Sequence, residues 1–375
     1  DIAGFKLSAR GVKDTSAGGF ATDADTLEQL IGGASGDAKV FLDKYSRLNA
    51  INTYLDTFVA GIRKFTDDNS ILRTQLNQTI TATGRLSSTS PNLHNQPRGG
   101  TFPVRRVFTS RFPGGSIAKA DYATLEYRTA GLLAGCTTVL NAIRTKEDAH
   151  GYTRDTINSH EDTGTRGNDP IDRQDAKPHT FKPLYGGKSG TDREKHYYTA
   201  FIEKHHAIKK WHETLLSTAL NTNRITLPSG RQYNFPNVYR TYSGWVNDST
   251  QVVNYPVQGF ATADLVPIGV IAVGTKMREL NVKSKLFLTV HDEVDIDIYP
   301  GEEQMITDLV IDGMLSILEG SNKYYGIDFK WPFGCEFNVG SNWLNCKEVA
   351  AGEINYSTGE VVVYIKMNQT MYIVY

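Results

Sequence analysis

His291-Asp292-Glu293 sets two carboxylates side by side between KLFLTV and VDIDIY. The flanking runs, Leu286 to Val290 and Val294 to Tyr299, are rich in β-branched residues and alternate apolar positions with Asp295 and Asp297. They read as two strands of a hairpin with the acidic pair at its tip. Like charges a few ångströms apart raise each other's pKa, and a divalent cation is the usual remedy. Acidic turns are also common on solvated surfaces, so the tip needs partners before it means chemistry. One lies upstream in GGSIAKADYATLEYRTAGLLAG, where a short strand through Ile117 and Ala118 ends at Asp121 and a helical period follows through Leu125, Arg128, Thr129 and Leu132. At that junction Asp121 is either a helix N-cap or a third carboxylate of the same site. Brought together at the edge of one antiparallel sheet, Asp121, Asp292 and Glu293 offer the hard oxygen donors that two Mg²⁺ ions take in an in-line phosphoryl displacement. One ion lowers the pKa of the attacking hydroxyl and the other stabilises the leaving pyrophosphate. No His or Cys cluster with zinc spacing competes, and the 3 cysteines, Cys136, Cys335 and Cys346, are scattered as free thiols in a reducing compartment are.

Between the acidic segments lies RQDAKPHTFKPLYGG, in which Arg173, Lys177, Phe181 and Tyr185 recur every four residues. On a helix this spacing drifts only about 40° per step, so two cations would meet one end of a ligand and two rings the other. A nucleoside triphosphate has that polarity: a fork and a point charge for phosphates, rings for base and sugar. The same spacing also suits an amphipathic helix with core aromatics and solvated cations. Asp169 as N-cap and Pro170 at the first helical position predict where the helix starts, while Pro178 and Pro183 predict a kink before Tyr185.

Taken together, these segments resemble DNA polymerase family A, the bacterial DNA polymerase I group and its phage relatives. TATGRLSSTSPNLHNQP is similar to that family's entry into the palm, DYATLEYR to its first catalytic motif, RQDAKPHTFKPLYGG to its nucleotide-binding fingers helix, NYPVQGFATAD to the palm helix along the primer-template minor groove, and VHDE to its last catalytic motif. The resemblance implies an α+β right-hand fold with an antiparallel-sheet palm, helical fingers and a partial helical thumb. It implies a template-directed DNA polymerase that binds primer-template DNA and dNTPs and uses two Mg²⁺ ions, for which Mn²⁺ can substitute. Asp121 and Asp292 would hold the metals, and Glu293 would support the primer terminus or a metal-bound water. Glu126 matches a steric gate that, with Tyr185, rejects a ribose 2′-hydroxyl. Arg173, Lys177 and His150 match triphosphate ligands, and Phe181 stands where Phe goes with rejection of dideoxynucleotides. Arg85, Asn92, Asn95, Asn254 and Gln258 match duplex contacts. Such donors test pair geometry without reading sequence, although Asn254 and Gln258, at i and i+4, would otherwise pass for surface polars. Departures from the pattern are Lys182-Pro183, His94 and Thr250. A single-subunit RNA polymerase relative and a primer-template binding fragment that is inactive without a full thumb are the alternatives. FKPLYGG points to phage-type replication, hence to the host cytoplasm, and a processivity partner stays open.

At 375 residues and a formal net charge of −1, the chain has room for several lobes, and DNA binding must come from patches. Lys182, Lys188, Arg193, Lys195, Lys204, Lys209 and Lys210 make the fingers basic. No apolar run reads as long enough for a bilayer and the start is not signal-like, so an intracellular site is expected. The expected divisions are a partial thumb at 1–79, palm at 80–140 and 224–344, fingers at 141–223, and a C-terminal meander of strands at 345–375, covered by its own chain or by a partner. The chain begins at Asp1 and reads as a fragment that starts within the thumb. There, Asp25 and Glu28 suggest a capping box, and Phe41, Tyr45, Leu48, Asn52, Leu55, Val59 and Ile62 suggest the inner stripe of a long helix from Asp37.

Overall fold

The computed structural model describes residues 23–97, 99, 102–161, 169–367 and 370–374. The chain divides into two compact units, Asp1–Gln75 with Ser90–Val104, and Leu76–Thr89 with Arg105–Tyr375.

In the first unit, α1 (Ala24–Gly33) is capped by Asp23, whose carboxylate accepts the Thr26 N–H at 2.9 Å. The predicted cap, Asp25, is already inside the helix, because the extended residue before the first turn is Asp23. The long helix is present as α2 (Gly36–Thr53), a π turn (Tyr54–Val59) and α3 (Ala60–Phe65) in direct succession. Its predicted inner stripe is only partly inside. Leu42 is buried with Leu27 and Leu30, and Phe41 and Tyr45 pack on them, but Leu48, Leu55 and Val59 are exposed. The ten residues of α1 extend about 15 Å and cover only the first turns of the longer helix.

The second unit begins within β1 (Gln75–Asn77), which pairs with β2 (Ser87–Thr89), and continues with β3 (Ser116–Tyr122). A helical stretch follows: α4 (Leu125–Leu133), α5 (Thr137–Arg144), α6 (Ala149–Asn158), α7 (Arg173–Thr180), α8 (Asp192–Lys204) and α9 (His206–Thr222). The hairpin β4 (Arg224–Thr226) and β5 (Gln232–Asn234) leads to α10 (Ser249–Gln258) and α11 (Val266–Glu279), then to β6 (Lys285–Val290) and β7 (Glu293–Ile298). The chain ends through α12 (Glu303–Leu315), α13 (Ile317–Tyr325), β8 (Gly334–Gly340), β9 (Lys347–Ile354), β10 (Val361–Met367) and β11 (Thr370–Val374). This is an α+β arrangement around one 7-stranded sheet in the order β11-β10-β9-β8-β3-β7-β6, with every ladder antiparallel.

The C-terminal strands therefore dock on their own chain. β9 pairs with β8, and β10 and β11 continue outward from it. The turn at Tyr356 to Gly359 closes β9 onto β10, with Gly359 at φ +79°; Asn368-Gln369, which the sequence marks as a second turn, lies outside the described residues.

β7 alternates Val294, Ile296 and Ile298 with Glu293, Asp295 and Asp297, and all six are buried. The apolar side joins the core that includes Val310, Ile311 and Met314 of α12. The acidic side meets cations: Arg105 and Lys119 approach Glu293 at 3.7 and 3.9 Å, and Arg111 meets Asp297 at 2.8 Å. Trp343 Nε1 donates to Asp295 at 2.8 Å, and the Arg105 guanidinium lies over the Trp343 ring at 4.0 Å.

α10 and α11 are bridged by a π turn, Gly259–Leu265. Pro267 has no N–H for the Ala263 carbonyl and crowds it, which favours the wider turn there; Arg231 Nη2 donates to that carbonyl instead, at 3.4 Å. Gly259 is needed for a close approach, since a Cβ would stand 1.7 Å from the Tyr233 hydroxyl, which donates to Thr83 O at 2.8 Å. Contrary to the sequence expectation, the continuous 31-residue helix Ser249–Glu279 is long and apolar enough to cross a membrane, but 61% of its most apolar window is buried inside the protein. Phe260, Leu265, Ile268 and Val273 belong to the core.

Candidate active site

Strand register assembles the acidic part of the site. Asp121 on β3 lies opposite Glu293 on β7, and the Tyr122 N–H donates to Asp292 O at 3.4 Å. The hairpin turn consists of His291 and Asp292 alone, with Val290 paired to Glu293. Positive φ at its first position only (His291, +59°) is the pattern of a type II′ turn, normally a glycine position. Backbone strain of this kind clusters at functional sites. The carboxylates sit at the ends of two interior strands rather than on an edge strand, because β8 covers β3 and β6 covers β7.

Asp121 is a strand residue, not an N-cap: α4 begins after Thr124, which takes φ +46°. Glu293 is only 4% exposed and turned toward Arg105 and Lys119, and among the described residues no three His, Cys, Asp or Glu side chains converge as a metal cage. Two carboxylates still fit Mg²⁺, which commonly binds through one or two carboxylates and completes its shell with substrate phosphates and water.

Glu126, in the first turn of α4, is held from two directions, by Arg85 and by the Tyr185 hydroxyl. Burial pushes its carboxyl up to about 7, with Asp292 adding to the rise; the adjoining guanidinium favours the charged form, so both protonation states are accessible. Arg85 Nε also donates to Thr262 Oγ1 at 3.0 Å, tying this pair to the π turn. A cavity of about 400 Å³ opens beside the hairpin turn, lined by Gly84, Arg85, Arg231, Thr262, Thr289 and His291. A second cavity of about 390 Å³, between Tyr127, Tyr197, Phe201 and Tyr364, is lined by none of the proposed site residues except Phe181.

The basic helix starts later than Pro170. Asp172 caps α7, its carboxylate accepting from Gln174 and Asp175 N–H while the Asp175 side chain accepts from Asp172 N–H. Ile171 before it is pinned through both backbone groups by the Asn158 side chain, at 3.0 Å each, which prevents a helix from starting at Pro170. α7 keeps Pro178 and stops at Thr180; Lys182–Tyr185 form a 3₁₀ turn closed by Gly186 at φ +74°. The kink is thus a change of helix type. Arg173 and Lys177 are exposed, whereas Phe181 and Tyr185 are half-buried, and Phe181 packs on Tyr127 and His150 with ring centroids 5.1 and 5.8 Å apart.

His150 on α6 faces the same place. His150 Nδ1 and Thr180 Oγ1 form a hydrogen bond at 2.8 Å whose donor is set by the imidazole tautomer. Burial, then Arg173 and Lys177, hold the His150 pKa below its ordinary value, with Asp148 opposing. Asp148, which sequence reading missed, grips Arg173 in a bidentate pair. Not all of the basic stretch is available to a ligand. Arg193 is buried and donates to Ile157 O, Asp169 O and Asn158 Oδ1, Lys204 pairs with Glu147, and Lys195 pairs with Asp192.

Asn254 and Gln258 are half-buried on α10, and Asn254 Oδ1 is buried without a hydrogen-bond partner. Asn92 and Asn95 belong to the first unit; there Asn92 Oδ1 accepts the Asn95 N–H at 3.2 Å and its carbonyl accepts from Gln96.

The fold is that of a right-hand polymerase domain. It matches the solved POL domain of Pol1 from M. smegmatis, in complex with DNA primer-template and dNTP, at a TM-score of 0.72 and 22% identity, over 91% of this chain and 59% of that one. A family model for DNA polymerase family A matches residues 4–345, and the chain belongs to that family. DNA polymerase I of Lactococcus lactis subsp. lactis (strain IL1403) is 27% identical over 345 residues, covering 88% of this chain and 37% of the relative. The thermostable DNA polymerase I of Thermus thermophilus is 27% identical over 354 residues, covering 90% and 40%. The chain therefore spans well under half the length of these relatives, and β9, β10 and β11 lie beyond the family match.

Proposed function

We propose that this chain is the catalytic part of a template-directed DNA polymerase that adds dNTPs to a primer 3′-hydroxyl, with phage DNA replication as its setting. Partial thumb at 1–79, palm at 80–140 and 224–344, fingers at 141–223 and an added C-terminal extension at 345–375 remain its divisions. The observation that carries the reading is the strand register that sets Asp121 and Asp292 at one end of β3 and β7, beside the Glu126 carboxylate that Tyr185 and Arg85 hold.

Asp121 and Asp292 would hold Mg²⁺ or Mn²⁺, which when bound supplies a lowered pKa for the primer hydroxyl and neutralises charge on the leaving pyrophosphate. The rest falls to the chain's own side chains. Lys177 and Arg173 bind phosphate oxygens, His150 adds a donor when protonated, and Phe181 and Tyr185 support base and sugar. Glu126 and Tyr185 fill the space a 2′-hydroxyl would need. Arg85, Asn254 and Gln258, with Asn92 and Asn95 from the first unit, contact the duplex. Glu293 would support the primer terminus or a metal-bound water, with Arg105 and Lys119 beside its carboxylate.

Primer extension on a recessed template with Mg²⁺, supplying dNTP, rNTP or ddNTP separately, tests the reading. Extension with dNTP alone is expected, with Asp292→Asn lowering it about a hundred-fold or more. Extension with rNTP would instead favour an RNA polymerase relative, and duplex binding without extension would favour a binding fragment. Full activity of Asp292→Asn would remove the metal assignment.

A further inference from the structure

Between β5 and α10 the chain holds three aromatic rings in water: Tyr239 at 58% exposure, Tyr242 at 110% and Trp245 at 59%. Among the described residues Tyr324 is the one other exposed aromatic side chain. The rings recur at every third residue and are presented by a tied loop. At its base Arg240 and Val246 form an antiparallel bridge, and Asn247 accepts the Tyr239 N–H at 2.6 Å and donates to Asn237 O at 2.9 Å. At its tip the Thr241 N–H donates to Trp245 O at 2.6 Å and the Gly244 N–H to Thr241 O at 2.9 Å, with Gly244 at φ +84°.

We propose that this loop is a stacking surface for single-stranded nucleic acid. Unpaired bases offer π faces that duplex stacking hides, and rings displayed at intervals beside a cation are what such strands bind. Arg240 is the one charged residue from Pro236 to Val246, and no acid stands among the rings to repel a phosphate chain. A protein-docking patch would need continuous apolar surface around the rings, but the two aliphatic residues of the loop, Val238 and Val246, are buried. The loop runs on into α10 with Asn254 and Gln258. Its stacking role does not depend on the carboxylates and holds whether or not the chain extends primers.

Binding of a fluorescent dT oligonucleotide to the full chain, followed by anisotropy and by tryptophan emission, tests it. Quenching that disappears in Trp245→Phe is expected, with binding about ten-fold weaker in Tyr242→Ser and blunt-duplex binding unchanged. The loop is exposed, so Tyr242→Ser should leave the melting temperature unaltered, and its duplex binding reports that the protein is intact. Undiminished dT binding by the combined Tyr239→Ser, Tyr242→Ser and Trp245→Ser variant would overturn the proposal. So would quenching that survives in Trp245→Phe, or a change in self-association with dT binding intact. Asp292→Asn should bind dT normally, so failure of the polymerase reading and failure of this one are separable.

Discussion

Asp148 holds Arg173 by two parallel contacts, Oδ2 to Nε at 3.0 Å and Oδ1 to Nη2 at 2.9 Å. The Arg173 hydrogen bond, followed by the Gly151 N–H, lowers the Asp148 carboxyl to about 2, so the carboxylate stays charged throughout the physiological range. A triphosphate that uses Arg173 must displace it or share it. Asp148→Asn should therefore tighten dNTP binding about two- to five-fold, the modest range that suits an exposed pair, and make Arg173→Ala more harmful than in the parent. Titration of dNTP into primer-template complexes reads this directly; weaker binding by Asp148→Asn would mean that Asp148 positions Arg173 for the phosphates instead of competing with them.

His150 should couple nucleotide binding to protons. Free of ligand, burial and the facing Arg173 and Lys177 hold its pKa below 6.5, with Asp148 in partial opposition. A bound phosphate would raise it by favouring the charged form. The gain in affinity is then complete below the free-state pKa and is lost as pH rises through the higher bound-state value. Calorimetry in buffers of different ionisation enthalpy should show proton uptake on dNTP binding in this window, and none in His150→Gln.

Local signals were legible and long-range ones were not. The hairpin around Asp292 and the β3 to α4 junction announce themselves in side-chain period, and their register follows from a two-residue turn. The helix start at Asp172 was hidden because Asp169-Pro170 carries the stronger local signal, while the grip of Asn158 on Ile171 comes from another helix. Composition marked Arg193 as a fingers charge; burial against α6 and the segment that precedes α7 makes it structural. Leu48, Leu55 and Val59 fit a stripe, but a stripe is buried only as far as its partner helix extends. Arg105, Asp295 and Trp343 are far apart in sequence, and no local pattern joins them.

Glu126 should select sugars by bulk rather than by charge. Glu126→Ala opens the space between α4 and Tyr185, and incorporation of rNTP relative to dNTP should rise about ten- to a hundred-fold. Glu126→Gln keeps the volume and a partner for Tyr185, so discrimination should persist. Because Arg85 is left without its carboxylate in the Ala variant, melting should be recorded beside the kinetics. Loss of discrimination in Glu126→Gln as large as in Glu126→Ala would assign the gate to charge.

Asp295 makes the sheet itself sensitive to pH. Burial pushes its carboxyl well above 3.8, and the neighbouring Glu293 adds to the rise, while Trp343, Arg105 and Lys119 oppose it. Above 3.8 the unfolded chain loses this proton and the folded chain keeps it, so stability falls by about 1.4 kcal/mol per pH unit until the folded pKa is reached. Asp295→Asn removes the dependence and retains an oxygen for the Trp343 N–H, now at 2.8 Å from Oδ1. The variant should match the parent near pH 4 and melt at a higher temperature near pH 8, with Asp121 and Asp292 untouched. Melting curves that run parallel across this range would mean that Asp295 is ionised in the folded chain and that Arg105 and Lys119 outweigh its burial.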